Sequence, residues 1–502
     1  MPYSLLASLA FASVVGFVPA SGPGDGEHFV PLSRLAGIGA GRAELTDDII
    51  AKRARSMVES QTFAILRDPN AEAGAQRILG PQLQRLFNKA ESDSGVPSSL
   101  LAAIAYLESW GNPRAQSPTG PRGIMQISLG TARAMGLRVV YRTRYRVETR
   151  TRNVRVKGKL VTRRVRVRIP YTALVRDDRL VPERAVPAAA KYLARLSDKF
   201  DGLDWAVFAY HCGENCAASM RSLTEQARGI GPPYTVAKMF FAASPAVNRD
   251  LYLAIKRNMS RDYSPTYWFR VMRARQLLDM YRTDRAGFRK LAAEYRAGLE
   301  PTQRTPHRLA AWLGGEPALR SRDALDSGKG SCPARIFDDP EYYGFRIRYT
   351  AESGSPCLPA SPSTLGALAY IAFETRRLHE AMNVQGEQFV PLEVSSPAAS
   401  AVSASGNEPG KEFLQSTGYV LNINYAKLPP GQREAFEFVM DELGWEGYLG
   451  FIHAEGESHT LHVGCSPSSR DFFEKVFAEA VEADSSHAGE RASAHRPRGK
   501  AA

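Results

Sequence analysis

Apolar positions along the chain favour helices through most of the first 300 residues. Residues 45–90 and 183–300 carry apolar residues at helical spacing, with acidic residues near the first start. Residues 138–170 differ, because charged and apolar residues alternate there with period two, as in a β-hairpin. Residues 366–482 combine strand-like and helical stretches. The pattern predicts a mainly α region interrupted by a hairpin and followed by a smaller α+β domain.

The length of the chain and a stretch rich in Pro, Gly and Ser indicate how it divides into domains. A chain of 502 residues is too long for one ordinary core, so two or three domains are expected. Pro, Gly and Ser are frequent in residues 301–364, which is typical of a linker. We predict a signal peptide at 1–20, an N-terminal helical segment at 21–90, a main helical domain at 91–295 with the hairpin at 138–170, a linker at 296–365, the α+β domain at 366–484 and a disordered tail at 485–502.

The positive charge is concentrated in the hairpin. The formal net charge is +13, and between Arg138 and Arg168 thirteen Lys or Arg stand against one Glu. Nucleic-acid binding by the whole protein is therefore not expected, because the rest of the chain is nearly balanced. Alternation predicts one arginine face and one apolar face. The arginine face would include Arg142, Arg144, Arg146, Arg150 and Arg152, opposite Tyr141, Tyr145 and Val147.

Two interpretations of this hairpin stay open. It could be a solvated edge whose arginines discourage aggregation. It could also contact an anionic polymer or an acidic partner protein, and such binding should weaken with salt.

The N-terminus favours export. Leu5 to Val18 is apolar, and small residues end at Ala20, where a signal peptidase could cut. A buried helix is the alternative, since no Lys or Arg lies near Met1. No later apolar run is long enough to span a membrane. We expect a periplasmic or secreted protein without a membrane span, in which the neighbouring cysteines, Cys212 with Cys216 and Cys332 with Cys357, could form disulfides.

Residues 100–128 contain one acidic residue, Glu108. Ser98 or Ser99 can cap a helix on which Leu101, Ile104, Ala105 and Glu108 share one face. Burial and the negative end of the helix dipole would both favour the protonated form of the carboxyl, which suits a general acid. The alternative is a solvated Glu at a helix end. The next acidic residue along the chain is Glu148.

The surrounding motifs resemble those of the family 1 lytic transglycosylases, whose fold is like that of goose lysozyme. The stretch AIAYLESWGNPRAQSPTGPRGIMQISLGTARAMGL matches at Glu108-Ser109, at Gly123 to Gln126 and at Thr131-Ala132. A later piece matches at Tyr210 and Gly213, whereas His211 and Cys212 replace the family's usual Asn and Ala. The resemblance covers about residues 90–290 and implies a lysozyme-like catalytic domain.

The resemblance also implies a function. An exported enzyme of this kind would cleave the bond between N-acetylmuramic acid and N-acetylglucosamine in peptidoglycan and leave 1,6-anhydro ends. Glu108 would first act as acid and then as base, the substrate itself supplying the second group, and no cofactor or metal is implied. Substrate binding would involve Ser109, Gly123, Met125, Gln126, Tyr210 and, replacing the family's Asn, His211. Two alternatives remain: a hydrolytic lysozyme using the same Glu, and a wall-binding protein that no longer cuts.

A second resemblance concerns the C-terminal domain. QSTGYVLNI resembles the metal-binding pattern of M15-like D-Ala-D-Ala peptidases, with Gln415 and Asn422 at two ligand positions and His462 at the third. Neutral amides are poor zinc ligands, so the resemblance implies a domain that has lost its metal and could still hold peptides. An unrelated α+β domain is the alternative.

Overall fold

The computed structural model describes residues 45–262, 264–297, 340–348, 361–395, 420–445, 448–453, 459–466 and 469–494. The predicted signal peptide and most of the predicted linker lie outside these residues. The described chain divides into two compact units. The first contains residues up to Arg67, His211–Phe269 and the residues from Leu291 onward. The second contains Asp68–Tyr210 and Arg270–Lys290.

Helices and one long hairpin make up the described residues between 45 and 297, as the sequence predicted. The helices are α1 (Asp47–Leu66), α2 (Ala71–Ile78), α3 (Pro81–Ser94), α4 (Ser98–Ser109), α5 (Leu129–Ala134), α6 (Pro182–Phe200), α7 (Leu203–Cys212), α8 (Glu214–Glu225), α9 (Val236–Ala242), α10 (Arg249–Asp262), α11 (Ser264–Thr283) and α12 (Arg285–Ala297). The hairpin strands are β1 (Val139–Val156) and β2 (Lys159–Asp177).

The C-terminal region is α+β, also as predicted. It contains α13 (Pro340–Tyr343), β3 (Phe345–Arg348), α14 (Pro362–Met382), β4 (Leu392–Ser395), β5 (Val420–Asn424), α15 (Pro430–Trp445), β6 (Leu449–His453), β7 (Thr460–Cys465) and α16 (Arg470–Ala494). The strands form one sheet in the order β3-β4-β5-β7-β6, in which only β3 and β4 run parallel. No helix among the described residues is both long and apolar enough to cross a membrane.

Packing in the second unit brings α4 to its centre. α4 lies against α2 and α3, and α3 also packs on α6. Tyr106 of α4 is fully buried, and its hydroxyl donates to the Ala71 carbonyl at 2.9 Å. Its ring meets Trp110 edge to face with centroids 4.7 Å apart. These contacts hold the end of α4 in a fixed position, and Glu108 lies at that end.

Two predicted boundaries were wrong. Strand β3 belongs to the C-terminal sheet, so that domain begins before residue 366. α16 continues to Ala494, which lies inside the predicted disordered tail at 485–502. The packing units also do not follow the predicted domains, because residues His211–Phe269 group with the C-terminal region. Long-range packing decides such groupings, and periodicity does not report it.

The predicted faces hold for β1, where the named arginines lie opposite the named apolar residues, but the prediction of one arginine face and one apolar face for the whole hairpin is wrong. The strands pair so that Arg146 lies opposite Ile169, and Val147 opposite Arg168. Cross-strand partners share a face, so each face carries both arginine and apolar side chains. The register follows from the tight turn at Lys157 and Gly158, which single-strand alternation does not reveal.

Candidate active site

Glu108 lies in the last turn of α4. Leu101, Ile104 and Ala105 are fully buried on that helix, and Glu108 is only partly buried. The helix stops at once, because Trp110 adopts a left-handed conformation with φ of 53° and ends the hydrogen-bond ladder. The helical face inferred from the sequence is therefore present, and it delivers one carboxylate to the edge of the core.

The predicted serine cap of α4 is wrong. Pro97 occupies the N-cap position, and no side chain caps the helix there. The hydroxyl and backbone N–H of Ser98 instead donate to the carboxylate of Glu91 on α3, and these bonds hold the pKa of Glu91 below its usual value. A carboxylate from the preceding helix thus accepts bonds at the start of α4.

Ser109 joins the end of α4 to the following loop. Its buried hydroxyl is 2.8 Å from the Ile124 carbonyl and 3.1 Å from the Ala105 carbonyl. The hydroxyl therefore bridges the helix and the Gly123–Gln126 segment. The two residues of the Glu-Ser pair differ in exposure, because the Ser109 side chain is buried and the Glu108 side chain is partly accessible.

The Gly123–Gln126 segment is bent by two residues with positive φ. Gly123 has φ of 81°, and its N–H donates to the Ala115 carbonyl at 2.8 Å. A Cβ there would lie 1.8 Å from the Arg179 carbonyl oxygen. Gln126 has φ of 44°, and its side-chain amide donates to the Gly123 carbonyl at 2.9 Å. The segment is therefore a tight, internally bonded bend that only glycine can form at position 123.

Met125 does not have its predicted role. Its side chain is fully buried, so it presents no surface to a sugar. Gln126, the next residue, is partly exposed. Ile124 and Ile127 are also buried, so Gln126 is the residue of the bend that turns outward, which residue type alone did not indicate.

Tyr210 meets this bend from α7. Its hydroxyl donates to the Met125 carbonyl at 2.7 Å, and its ring centroid is 6.2 Å from that of Tyr192. Burial and then the charge of Glu108 raise the pKa of Tyr210 well above its usual value. Ser109, next to Glu108, and Tyr210 both bond to carbonyls of the bend, those of Ile124 and Met125. The phenol stays protonated and acts as a donor.

His211 lies at the start of a segment of the first unit. Its ring stacks on Tyr267 with centroids 4.1 Å apart and planes 18° apart. The resemblance associated His211 with sugar binding, whereas this contact shows the ring packed against a neighbouring aromatic side chain. The expected disulfide between Cys212 and Cys216 is not formed, and Cys332 and Cys357 lie outside the described residues.

An ion pair that sequence analysis missed supports the bend. Arg179 and Asp177 are buried and bonded at 2.7 and 2.8 Å. The same guanidinium donates to the carbonyls of Gly120 and Ile127 at 3.3 and 3.2 Å. Asp177 ends β2, so the base of the hairpin and the bend share one polar cluster. The run Asp177-Asp178-Arg179, at a change from strand to helix, was the available signal.

The C-terminal domain pairs two residues of the peptidase-like pattern. Asn422 and His462 lie opposite each other on β5 and β7, and their side chains are hydrogen-bonded. Gln415 lies outside the described residues. Among the residues that the structure describes, no group of three His, Cys, Asp or Glu is placed to hold a metal ion. The pairing is compatible with the peptidase-like pattern and equally with an unrelated sheet.

The sequence model of the family described as "Transglycosylase SLT domain" matches residues 85–159 and 161–229. This segment is therefore similar in sequence to the SLT domain family. Glu108, Ser109, the 123–126 bend and Tyr210 all lie within the matched residues of the SLT domain. The rest of the chain, including the C-terminal sheet, lies outside the match.

Relatives agree with the family match. The chain is 39% identical over 130 residues to peptidoglycan transglycosylase gp16 of Escherichia phage T7, covering 26% of this chain and 7% of that protein. It is 26% identical over 210 residues to membrane-bound lytic murein transglycosylase F 2 of Alkalilimnicola ehrlichii, covering 40% and 37%. It is 30% identical over 166 residues to membrane-bound lytic murein transglycosylase F of Yersinia pestis, covering 32% and 26%. The chain thus spans less than half the length of each of these relatives.

Proposed function

We propose that the protein is a murein lytic transglycosylase that cleaves the β-1,4 bond between N-acetylmuramic acid and N-acetylglucosamine. The observation that carries this proposal is the position of Glu108 within the residues that match the SLT domain, partly buried at the end of α4, next to the bend that Ser109 and Tyr210 hold by hydrogen bonds. The relatives named as murein or peptidoglycan transglycosylases support the same reaction class.

Glu108 is the general acid and then the general base. Its carboxyl gives a proton to the glycosidic oxygen as the bond breaks. The carboxylate that remains takes a proton from the C6 hydroxyl of the muramic acid unit. That hydroxyl closes on the anomeric carbon, and the product ends in a 1,6-anhydro ring. The proton balance is complete, because the group that gave one proton recovers another.

Chemistry with one carboxylate fits the arrangement of acids in this unit. Ordinary glycosidases need a second carboxyl group, either as nucleophile or to activate water. Asp177 and Asp178 follow the hairpin, but both are bonded to arginines. Arginine pairing holds these carboxylates in structural roles. The substrate is therefore the proposed source of the second group.

The residues around Glu108 keep it in place. Ser109 fixes the end of α4 to the bend, and Tyr210 fixes the bend to α7. Gln126 is the partly exposed residue of the motif and is proposed to contact the sugar, whereas Gly123 allows the bend. Because the substrate is a wall polymer, we propose that the protein works in the periplasm or outside the cell.

Digestion of purified sacculi tests the reaction. Glu108→Gln keeps the size of the side chain but removes the titratable proton, so the release of soluble muropeptides should fall by about 100-fold or more. Mass analysis should find anhydro ends in the wild-type products. Reducing ends in their place would instead identify a hydrolytic lysozyme.

Asp93→Asn is the matched control, since this exposed carboxylate lies on α3 of the same domain. It should digest sacculi at the wild-type rate. Equal digestion by the Glu108→Gln and wild-type proteins would reject the proposal. Binding without any digestion by the wild type would favour a wall-binding protein.

A further inference from the structure

The hairpin formed by β1, the Lys157–Gly158 turn and β2 is a long, solvent-exposed extension of the SLT domain. We call residues 139–177 the Arg-rich arm. Each strand has 18 or 19 residues, so the arm extends about 60 Å at the usual rise per residue. β1 and β2 form a sheet of two strands. Both faces of the arm are therefore available to a ligand.

The arm contains most of the net charge of the protein. It has thirteen Lys or Arg against Glu148 and Asp177, which gives +11 of the chain's +13. Glu148 is bonded to Arg146 and Arg150 at 2.8 and 3.1 Å, and Asp177 is bonded to Arg179 at 2.7 Å, so both acids of the arm are already paired with arginines. Such a field concentrates polyanions near the arm.

Register places these charges on both faces. Arg142, Arg144 and Arg152 project on one face, and Arg164 and Arg166 on the other. Neighbouring arginines of one strand face are about 7 Å apart, since they are two residues apart. Arginines on both faces are suited to a polymer mesh that surrounds the arm. A flat lipid surface would contact only one face.

Aromatic side chains lie among the arginines. Tyr145 is 57% exposed, and the Arg168 guanidinium lies 4.7 Å from the centre of its ring. Tyr141 and Tyr171 are also exposed. Stacking on an aromatic ring pre-orients a guanidinium fork, which is the group that binds carboxylates in a bidentate manner.

The base of the arm is part of the site. Asp178 follows β2 and accepts a bond from the Arg138 backbone N–H at 3.1 Å. Arg179, paired with Asp177, bonds the carbonyls that flank the 123–126 bend. The arm therefore starts from the polar cluster that supports the motif beside Glu108. A glycan chain bound near Glu108 would pass the base of the arm.

We infer that the Arg-rich arm binds the free carboxylates of peptides attached to the glycan and so holds the wall mesh beside the cleavage site. This inference rests on the proposed function, because it takes murein as the substrate. The recognised chemistry is a carboxylate-bearing polymer, and each contact is a guanidinium–carboxylate pair. Duplex DNA, a different polyanion, is the competing ligand that the test must separate.

The test compares an arm variant with a control of equal charge. The arm variant carries Arg→Gln at positions Arg142, Arg144, Arg164 and Arg166. The control carries Gln at four exposed basic residues elsewhere, which are Arg55, Lys191, Arg228 and Lys290. Binding to insoluble sacculi is measured by co-sedimentation with Glu108→Gln added to every protein, so that the polymer stays intact.

The arm variant should bind untreated sacculi about tenfold more weakly than the control, and added salt should reduce this difference. Sacculi whose carboxylates have been converted to methylamides should bind both proteins equally. The inference would be overturned if the arm variant were weaker than the control by the same factor on untreated and on methylamidated sacculi. It would also be overturned if the two variants bound untreated sacculi equally. Tighter binding to duplex DNA than to sacculi, lost in the arm variant, would also overturn it and assign the arm to nucleic acid.

Failure of the arm inference is distinguishable from failure of the proposed reaction. Digestion of methylamidated sacculi depends on Glu108 and not on the arm, so the arm variant with native Glu108 should digest them at the wild-type rate. If Glu108→Gln digests them equally well, the proposed reaction is wrong whatever the arm binds. Circular dichroism of each variant confirms that the fold is retained.

Discussion

Gly123 shows how a single residue can determine the shape of the site. Its φ of 81° suits glycine, and its α-carbon lies against the backbone of Arg179. The bend that precedes Gln126 depends on both properties. The motif identified this glycine from the sequence, and only the structure supplied the reason for it.

Gly123→Ala should destabilise the protein more than a glycine replacement in open space. Gly136 has a similar φ of 76°, and a Cβ added there would meet no atom within 4 Å. Gly136→Ala should therefore lower the free energy of unfolding only by the cost of the left-handed conformation, about 1–2 kcal/mol. Gly123→Ala should add about 1–3 kcal/mol of steric strain and reduce digestion of sacculi. Urea unfolding of the two variants measures the difference. Equal costs would show that the close approach to Arg179 is unimportant.

Other residues show where residue type was informative and where it was not. Glu108 was found because an acid on an otherwise apolar face is conspicuous. Met125 was misread, because a methionine can line a cleft or fill a core, and its full burial is known only from packing. Arg179 was missed because a buried arginine looks like any other arginine in a basic region.

At the scale of elements, α3 and α4 are joined through a carboxylate. The sequence predicted a serine cap at the start of α4, but Ser98 donates to Glu91 of the preceding helix instead. Local capping rules could not find this bond, because its two residues belong to different helices. It links the start of the helix that carries Glu108 to its neighbour.

This bond predicts a pH dependence of stability. The pKa of Glu91 is lowered in the folded state, so its contribution is fully present above its ordinary value of 4.5 and is lost as pH falls through the lowered value. The free energy of unfolding of the wild type should therefore exceed that of Glu91→Gln near neutral pH, and the gap should narrow below pH 4.5. Urea titrations of both proteins across this range measure it. A gap that is constant with pH would contradict the assignment.

The hairpin illustrates the same limit for strands. Alternation correctly predicted two strands and their turn. The assignment of faces failed, because the pairing register places Val147 beside Arg168. A one-residue change in register exchanges every neighbour, and the turn sets that register.

At the scale of the whole molecule, the N-terminal helix α1 belongs with the C-terminal region. Arg53 of α1 is 2% exposed and is bonded at 2.9 Å to Glu442 of α15. The two residues are 389 positions apart. The sequence treated residues 21–90 and 366–484 as separate segments, and this buried pair joins α1 of the former to α15 of the latter in one unit.

Breaking this pair should destabilise the first unit. Glu442→Gln removes the negative charge bonded to the buried Arg53 guanidinium, which should cost about 3–5 kcal/mol in the free energy of unfolding. Arg53→Met combined with Glu442→Leu should recover part of that loss, because neither charge then remains buried. Arg55→Gln, exposed on the same helix, should have little effect. Denaturant unfolding compares the four proteins, and a neutral Glu442→Gln would contradict the predicted role of the pair.

The sequence by itself determined what depends on neighbours along the chain: the helical regions, the hairpin with its charge, the SLT motifs and Glu108 as the candidate acid. Periodicity and motif spacing are local, so they can be read without coordinates. Tertiary structure decided which helices group together, which face each arginine of the arm occupies, and which motif residues turn inward. Those properties arise from contacts between residues far apart in sequence, and their free energy depends on burial that no single segment specifies.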